Sequence, residues 1–174
     1  MTRQPEEHAE PHRPEPLTGW KRSVARLPIH LFRVGLGPLF RGRLLLLIHT
    51  GRLSGEPRHT ALEVVEAGQE ADGRRAWTVA SGFGPSADWY RNLRKTPQAV
   101  VQLGRGYLTV SAHFLPEEEG GELMARYAPR HPKAARKLSA FMGFDVDGSV
   151  EGYRRAGTAI PFVRLVEDER PEGS

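Results

Sequence analysis

The stretch Leu44 to Val65 reads LLLLIHTGRLSGEPRHTALEVV and holds the residues best suited to chemistry. Two apolar segments flank the loop Thr50-Gly51-Arg52-Leu53-Ser54-Gly55-Glu56-Pro57-Arg58, which carries two glycines, two arginines and two hydroxyls. Glycine lets backbone N–H groups approach a ligand and turn outward. Arginine offers a planar, permanently charged fork to phosphate or carboxylate. Such a loop between two core strands can cradle an anion. The same composition also suits a polar hairpin turn with solvated arginines. It is not a Walker loop, because the Gly-Lys-Ser/Thr ending and the following helix are missing, nor is it a G-x-G-x-x-G fingerprint.

Two further segments complete a cofactor-shaped set: the strand end Val79-Ala80-Ser81-Gly82 and the helix start Asp88-Trp89-Tyr90-Arg91-Asn92. Small residues at a strand end let a flat ring lie on backbone, whose N–H groups can bond the edge of a heterocycle. Trp89 reads more readily as a core anchor under a barrel than as a stacking partner.

Other chemistries find little support. The seven histidines show no HExxH pattern, and the one i, i+4 pair, His8 and His12, lies in the proline-rich N-terminal stretch, so no metal is expected. No G-x-S-x-G elbow surrounds Ser81. His49 and His59 lie on facing strands as candidate bases, but the sequence pattern links neither to a carboxylate, and ordinary strand histidines are the better reading. Without cysteine there are no disulfides, no thiol catalysis and no cysteine-ligated metal.

The elements that must position these residues follow from periodicity. Gly42–Thr50 is a strand whose continuous apolar run suggests burial on both faces. Arg58–Glu66 is the second strand, Gly68–Gly73 a hairpin turn, and Arg75–Ser81 the third strand. Ser86 is placed to cap a short helix, Ala87–Lys95, with Asp88 in its first turn. Ala99–Leu103 and Tyr107–Phe114 form a hairpin about Gly104-Arg105-Gly106. Pro116 and three glutamates open a helix to Tyr127, and His131-Pro132 opens another that ends near Gly143. Asp145–Gly157 reads as a loop with one helical turn, and Ile160–Val166 as the last strand. Six short strands with a few helices predict an α+β fold, a small and mostly antiparallel barrel with helices packed around it. The helices do not alternate regularly with the strands, which argues against a doubly wound sheet.

The length of 174 residues suits a single domain over residues 17–166. Residues 1–16 are acidic and proline-rich, and are expected to be a disordered tail. Trp20, Val24, Leu27, Leu31 and Val34 make a helical stripe interrupted at Pro28. Basic residues lie among them, so residues 20–40 can rest on an anionic membrane as a peripheral contact or cap an open barrel. Residues 167–174 read as an acidic tail. No apolar run is long enough for a secretory signal or a membrane span, which predicts a cytoplasmic protein. The net charge is +4, and residues 17–58 hold eight Lys/Arg against one acid. A basic block of this kind points to an anionic partner. Nucleic acid is not expected, because the strands lack the basic–aromatic interleaving of a stacking platform.

Three segments, HTGRLSGEPRHTALEVV, WTVASGFGPSADWYRNLRKTP and the terminal AIPFVRL, resemble the deazaflavin-dependent nitroreductase family. These are actinobacterial proteins that use the deazaflavin coenzyme F-420. The resemblance implies an FMN-binding-like split β-barrel. It implies that the coenzyme's phosphate and acidic tail lie on Arg52, Leu53, Ser54 and Arg58. The ring system would lie beside Ala80, Ser81 and Gly82, with Trp89 and Asn92 near the pocket. The implied reaction is hydride transfer to a small electron-poor acceptor, quinone-like or conjugated. Ser81 is then the catalytic candidate: its hydroxyl and N–H would stabilise negative charge on the acceptor as hydride arrives. The alternative is a serine that merely ends its strand. Alternatives to the whole are an FMN-dependent reductase on the same barrel, or a non-catalytic protein that binds the deazaflavin or a lipophilic ligand. There are departures from the family pattern. Leu53 stands where many relatives have a second basic residue, and Gly82 where a characterised relative has lysine. His131-Pro132-Lys133-Ala134-Ala135 lacks that relative's acceptor-pocket tyrosines, and Phe141–Tyr153 looks like an insertion.

Overall fold

Leu44–Ile48 offers no polar face to solvent, and the strand it forms, β1 (Leu44–Thr50), is buried on both sides, with Leu45, Leu46 and Leu47 at most 2% exposed. The structure, a computed structural model, describes residues 43–169. The expected tail at 1–16, the helical stripe from Trp20 and its membrane contact lie outside these residues. β1 is followed by β2 (Pro57–Gln69), β3 (Arg75–Ala80), a 3-10 turn (Gly84–Ser86), α1 (Asp88–Lys95), β4 (Gln98–Leu103) and β5 (Gly106–Phe114). Then come α2 (Glu117–Tyr127), α3 (Pro132–Phe141), α4 (Val150–Ala159) and β6 (Phe162–Glu167). The strands close into an antiparallel barrel in the order β1-β2-β3-β6-β5-β4.

Closure comes from β1 against β4, where Leu47 faces Val101, and from β3 against β6, where Val79 faces Val163. Full closure removes exposed strand edges. Leu45, Leu47, Trp77, Val79, Val101, Val110, Val163 and Leu165 share one core with Trp89 and Leu93 of α1. α1 therefore belongs to the barrel core, which fixes its outer face against the β1–β2 loop.

A second core lies among α2, α3, α4 and the start of β6, around Leu123, Met124, Met142, Tyr153, Ile160 and Phe162. A bulge in β2 between Val64 and Glu66 shifts the register against β3, and Val65 packs on this second core. The bidentate Arg126–Glu66 pair joins α2 to β2 nearby.

Some elements differ from the sequence expectation. The stretch Asp145–Gly157, expected as loop with one helical turn, holds most of α4, a helix of ten residues capped by Ser149, whose Oγ accepts from Gly152 N at 2.9 Å. Gly152 and Gly157 weaken its local helical signal, at about 1 kcal/mol each against Ala. Gly152 leaves room for the cap, where a Cβ would lie 2.5 Å from Asp147 Oδ1, and Gly157 is needed for helix packing: its Cβ would sit 2.4 Å from Gly120 O and 2.9 Å from Gly121 Cα of α2. Ser86 does not cap α1; its hydroxyl donates to Phe83 O, and Ala87 stands at the cap with no side-chain bond. The acidic tail expected from Glu167 starts later. Glu167 ends β6, with its carboxylate held by Arg75 across the sheet, and Asp168 accepts from Ser111.

Candidate functional site

The β1–β2 loop is a closed turn. Gly51 N donates to Glu56 O and Gly55 N donates to Gly51 O, both at 2.8 Å. Gly55 has φ +71°, a conformation that favours glycine. Ser54 Oγ accepts from Glu56 N at 3.2 Å and from Arg58 Nη2 at 3.3 Å. Both bonds use the oxygen's lone pairs, so the Ser54 hydroxyl hydrogen remains available to a ligand. Leu53 stands out at the tip, 91% exposed.

Arg52 is held from α1. Asp88 and Asn92 are four residues apart and share one helical face. Arg52 Nη1 donates to Asp88 Oδ1 at 2.9 Å and to Asn92 Oδ1 at 3.0 Å, while Arg52 N also donates to Asn92 Oδ1 at 3.0 Å. Lys95, at the end of the same helix, donates to Arg52 O at 2.7 Å. Both Nη1 hydrogens are thus engaged. The Nε–Nη2 edge of the guanidinium is left as a two-donor fork, the geometry that suits a phosphate or carboxylate.

Behind Asn92 lies a buried histidine. Asn92 Nδ2 is 3.1 Å from His49 Nδ1, and His49 Nε2 is 3.1 Å from Thr60 Oγ1. His49 is only 4% exposed, and burial, then the nearby His59 and Arg58, lower its pKa to about 4. It is neutral at neutral pH. An amide nitrogen can only donate, so Nδ1 accepts and the proton sits on Nε2. The sequence places His49 and His59 on facing strands but does not show this link to α1; in the register His49 lies opposite Arg58 and His59 opposite Ile48. The signal that could have exposed it is the i, i+4 spacing of Asp88 and Asn92 beside the arginine loop.

The other expected site residues fall into two groups. Arg52, Leu53, Ser54, Arg58 and Asn92 gather at the loop end. Ala80, Ser81 and Gly82 lie at the far end of β3. Ser81 is fully buried; its hydroxyl donates to Gly84 O at 2.6 Å and its N–H to Pro161 O at 2.8 Å. Both donors are therefore engaged within the protein. Gly82 is covered by Phe141 at the end of α3: a Cβ on Gly82 would lie 2.7 Å from Phe141 Cε1. Phe141 also meets Phe83 edge-on at 5.5 Å and is 45% exposed. Trp89 is a barrel-core residue, 7% exposed, with its ring edge-on to Tyr90.

Two clefts of about 210 and 230 Å³ contain none of these residues; the first is lined by Glu70, Arg74, His113 and Arg164 among others, the second by Asp145, Asp147 and Arg155 among others. Among the described residues no cluster of His, Asp or Glu is placed to hold a metal ion, and no helix is long and apolar enough to cross a membrane.

Comparison with known proteins gives a family match. The sequence profile of the F420H(2)-dependent quinone reductase family matches residues 21–140. The solved structure of an F420-H2 dependent reductase, FDR-A, is 23% identical, covering 71% of this chain and 93% of that one with a TM-score of 0.45. The heme storage protein HutZ of Vibrio cholerae is 14% identical, covering 84% of this chain and 92% of that one with a TM-score of 0.48. A DNA ligase of Haloquadratum walsbyi is 33% identical over 99 residues, which are 56% of this chain and 12% of the ligase. The chain thus spans about an eighth of that relative's length.

Proposed function

The chain belongs to the F420H(2)-dependent quinone reductase family, and on that premise we propose that it reduces a small quinone-like or conjugated electron-poor acceptor. Membership makes it an oxidoreductase that uses coenzyme F-420. When bound, the reduced coenzyme supplies the hydride. The protein's part is to hold, orient and shield.

The observation that carries the reading is the anchored Arg52. A guanidinium tied by Nη1 to Asp88 and Asn92 keeps its Nε–Nη2 edge in a set orientation. Arg58 and the Ser54 hydroxyl stand on the same turn, and Lys95 reaches it from α1. This donor set fits an acidic, phosphate-bearing tail. Leu53 adds apolar surface rather than charge at the tip. The strand end Ala80–Gly82 is the proposed bed for the ring, with Phe141 as its outer wall. Ser81 shapes that bed by tying Gly84 to the strand end. Asn92 serves by gripping Arg52, and Trp89 by anchoring α1 in the core. The described residues from β1 to β6 make one barrel with its packed helices.

Fluorescence titration with oxidised F-420 and, separately, with FMN tests the coenzyme. F-420 should bind the more tightly; tighter FMN binding would sink the reading. In the Arg52→Ala/Arg58→Ala variant each lost charge-assisted bond should cost about 1.5–3 kcal/mol of F-420 affinity. Affinity within about twofold of wild type would place the tail elsewhere. Steady-state reduction of a panel of quinones and conjugated enones then reports the acceptor class; binding without turnover of any of them would favour a storage role.

A further inference from the structure

We propose that His49 is a positioning residue for the anion loop: it sets the orientation of the Asn92 amide, and through that amide the orientation of Arg52. This rests on the reading of the loop as the site of the coenzyme's tail. His49 itself never touches the ligand.

The argument is one of donor and acceptor matching along a chain of buried groups. An asparagine amide can be placed two ways round. Asn92 is 4% exposed, so neither end can turn to water. In the observed orientation Oδ1 accepts twice from Arg52, at N and at Nη1, and Nδ2 donates to His49 Nδ1. The reversed amide would set N–H against the two Arg52 donors and oxygen against the histidine's lone pair. All the contacts would then be mismatched, and buried unmatched groups are costly. Neutral His49 with its proton on Nε2 satisfies the inner end and passes its own N–H to Thr60. The chain Thr60–His49–Asn92–Arg52–Asp88 therefore runs from β2 through β1 and α1 to the loop.

Charged and titratable groups face His49 from each element around it: Arg58 and His59 of β2, and Asp88 of α1. Arg52 is the second residue after β1, joined to His49 through Asn92. The two β2 groups oppose protonation and Asp88 favours it, while burial is the largest influence and keeps the ring neutral. A protonated ring would present N–H to the Asn92 N–H and release the amide.

The test compares affinities for oxidised F-420 in wild type, Arg52→Ala, His49→Phe, His49→Asn and the double variant Arg52→Ala/His49→Phe, each checked for folding by its melting curve. His49→Phe keeps a ring but removes the acceptor. His49→Asn places an oxygen near the lost Nδ1 and keeps it. The expected result is about tenfold weaker binding in His49→Phe and recovery to within about threefold of wild type in His49→Asn. His49→Phe should add nothing once Arg52 is gone. Additive losses in the double variant, an unaffected His49→Phe, or no recovery in His49→Asn would overturn the proposal while leaving Arg52 a ligand contact. An Arg52→Ala variant that binds like wild type would bring down the loop reading and this proposal with it. Should His49→Phe fail to fold, nitrogen-15 NMR of the wild-type imidazole decides: the Nε2–H tautomer at neutral pH supports the relay, and the Nδ1–H tautomer or the imidazolium overturns it.

Discussion

The loop end of the barrel and the α2–α4 crossing both depend on glycine, and they use it in opposite ways. At Gly51 a Cβ would stand 2.8 Å from Ser54 Oγ and 3.3 Å from Arg58 Nε, so the missing side chain makes room for polar side chains. At Gly157 a Cβ would stand 2.4 Å from a backbone oxygen of α2, so the missing side chain makes room for another helix. The first use brings donors together at the surface and leaves some without a partner in the turn. The second brings two backbones together in a buried crossing. A glycine-rich stretch therefore does not by itself mark a ligand site. What distinguishes the loop is the group of charged donors that its compactness leaves facing outward.

Substitution in the second region is the largest expected effect. Gly157→Ala forces a methyl against backbone that cannot swing aside, and should cost about 3 kcal/mol of stability, read from chemical denaturation. F-420 affinity of the folded fraction should be unchanged. A comparable loss of affinity would break the comparison, because it would couple the helix crossing to the loop.

An effect of nearly the same size comes from pH. His49 has a folded pKa of about 4 against an ordinary 6.5, so between those values the unfolded chain takes up a proton that the folded chain refuses. Its contribution is fully present above about 6.5 and is lost as pH falls through about 4. Denaturation curves should show stability falling by about 2–3 kcal/mol over that window. His49→Asn, which has no titrating ring, should flatten the limb. A limb of equal size in that variant would assign the loss to other groups.

The smallest effect sharpens the picture at the strand end. Ser81→Ala removes a buried hydroxyl donated to Gly84 O and should cost about 1 kcal/mol of stability, with kcat and F-420 affinity little changed. A drop in kcat with affinity intact would instead make Ser81 a group that acts on the acceptor.

Much of the fold was legible because its signals are local. Alternation and apolar runs mark all six strands, and the turn at Gly104 and the helix start at Pro116 lie where turn and cap chemistry put them. α4 was not legible, because Gly152 and Gly157 read as loop residues until Gly152 is seen beside the Asp147–Ser149 cap and Gly157 against α2. Ser86 looked like a cap because serine before an acidic helix start usually is one, yet a 3-10 turn intervenes and its hydroxyl bonds backward to Phe83.

The loop's part in the site divides the same way. Residue types alone determined that Thr50–Arg58 could offer arginine forks and free N–H groups to an anion, since charge and backbone freedom belong to residues wherever they stand. Residue spacing alone put Asp88 and Asn92 on one face of a helix. Only the closed barrel decided that this face meets Arg52, residues distant in the chain, and that His49 sits buried behind it. Barrel closure sets which strand and helix faces come within hydrogen-bond distance, and burial decides that His49 is neutral. Neither closure nor burial is a property of any local stretch of chain.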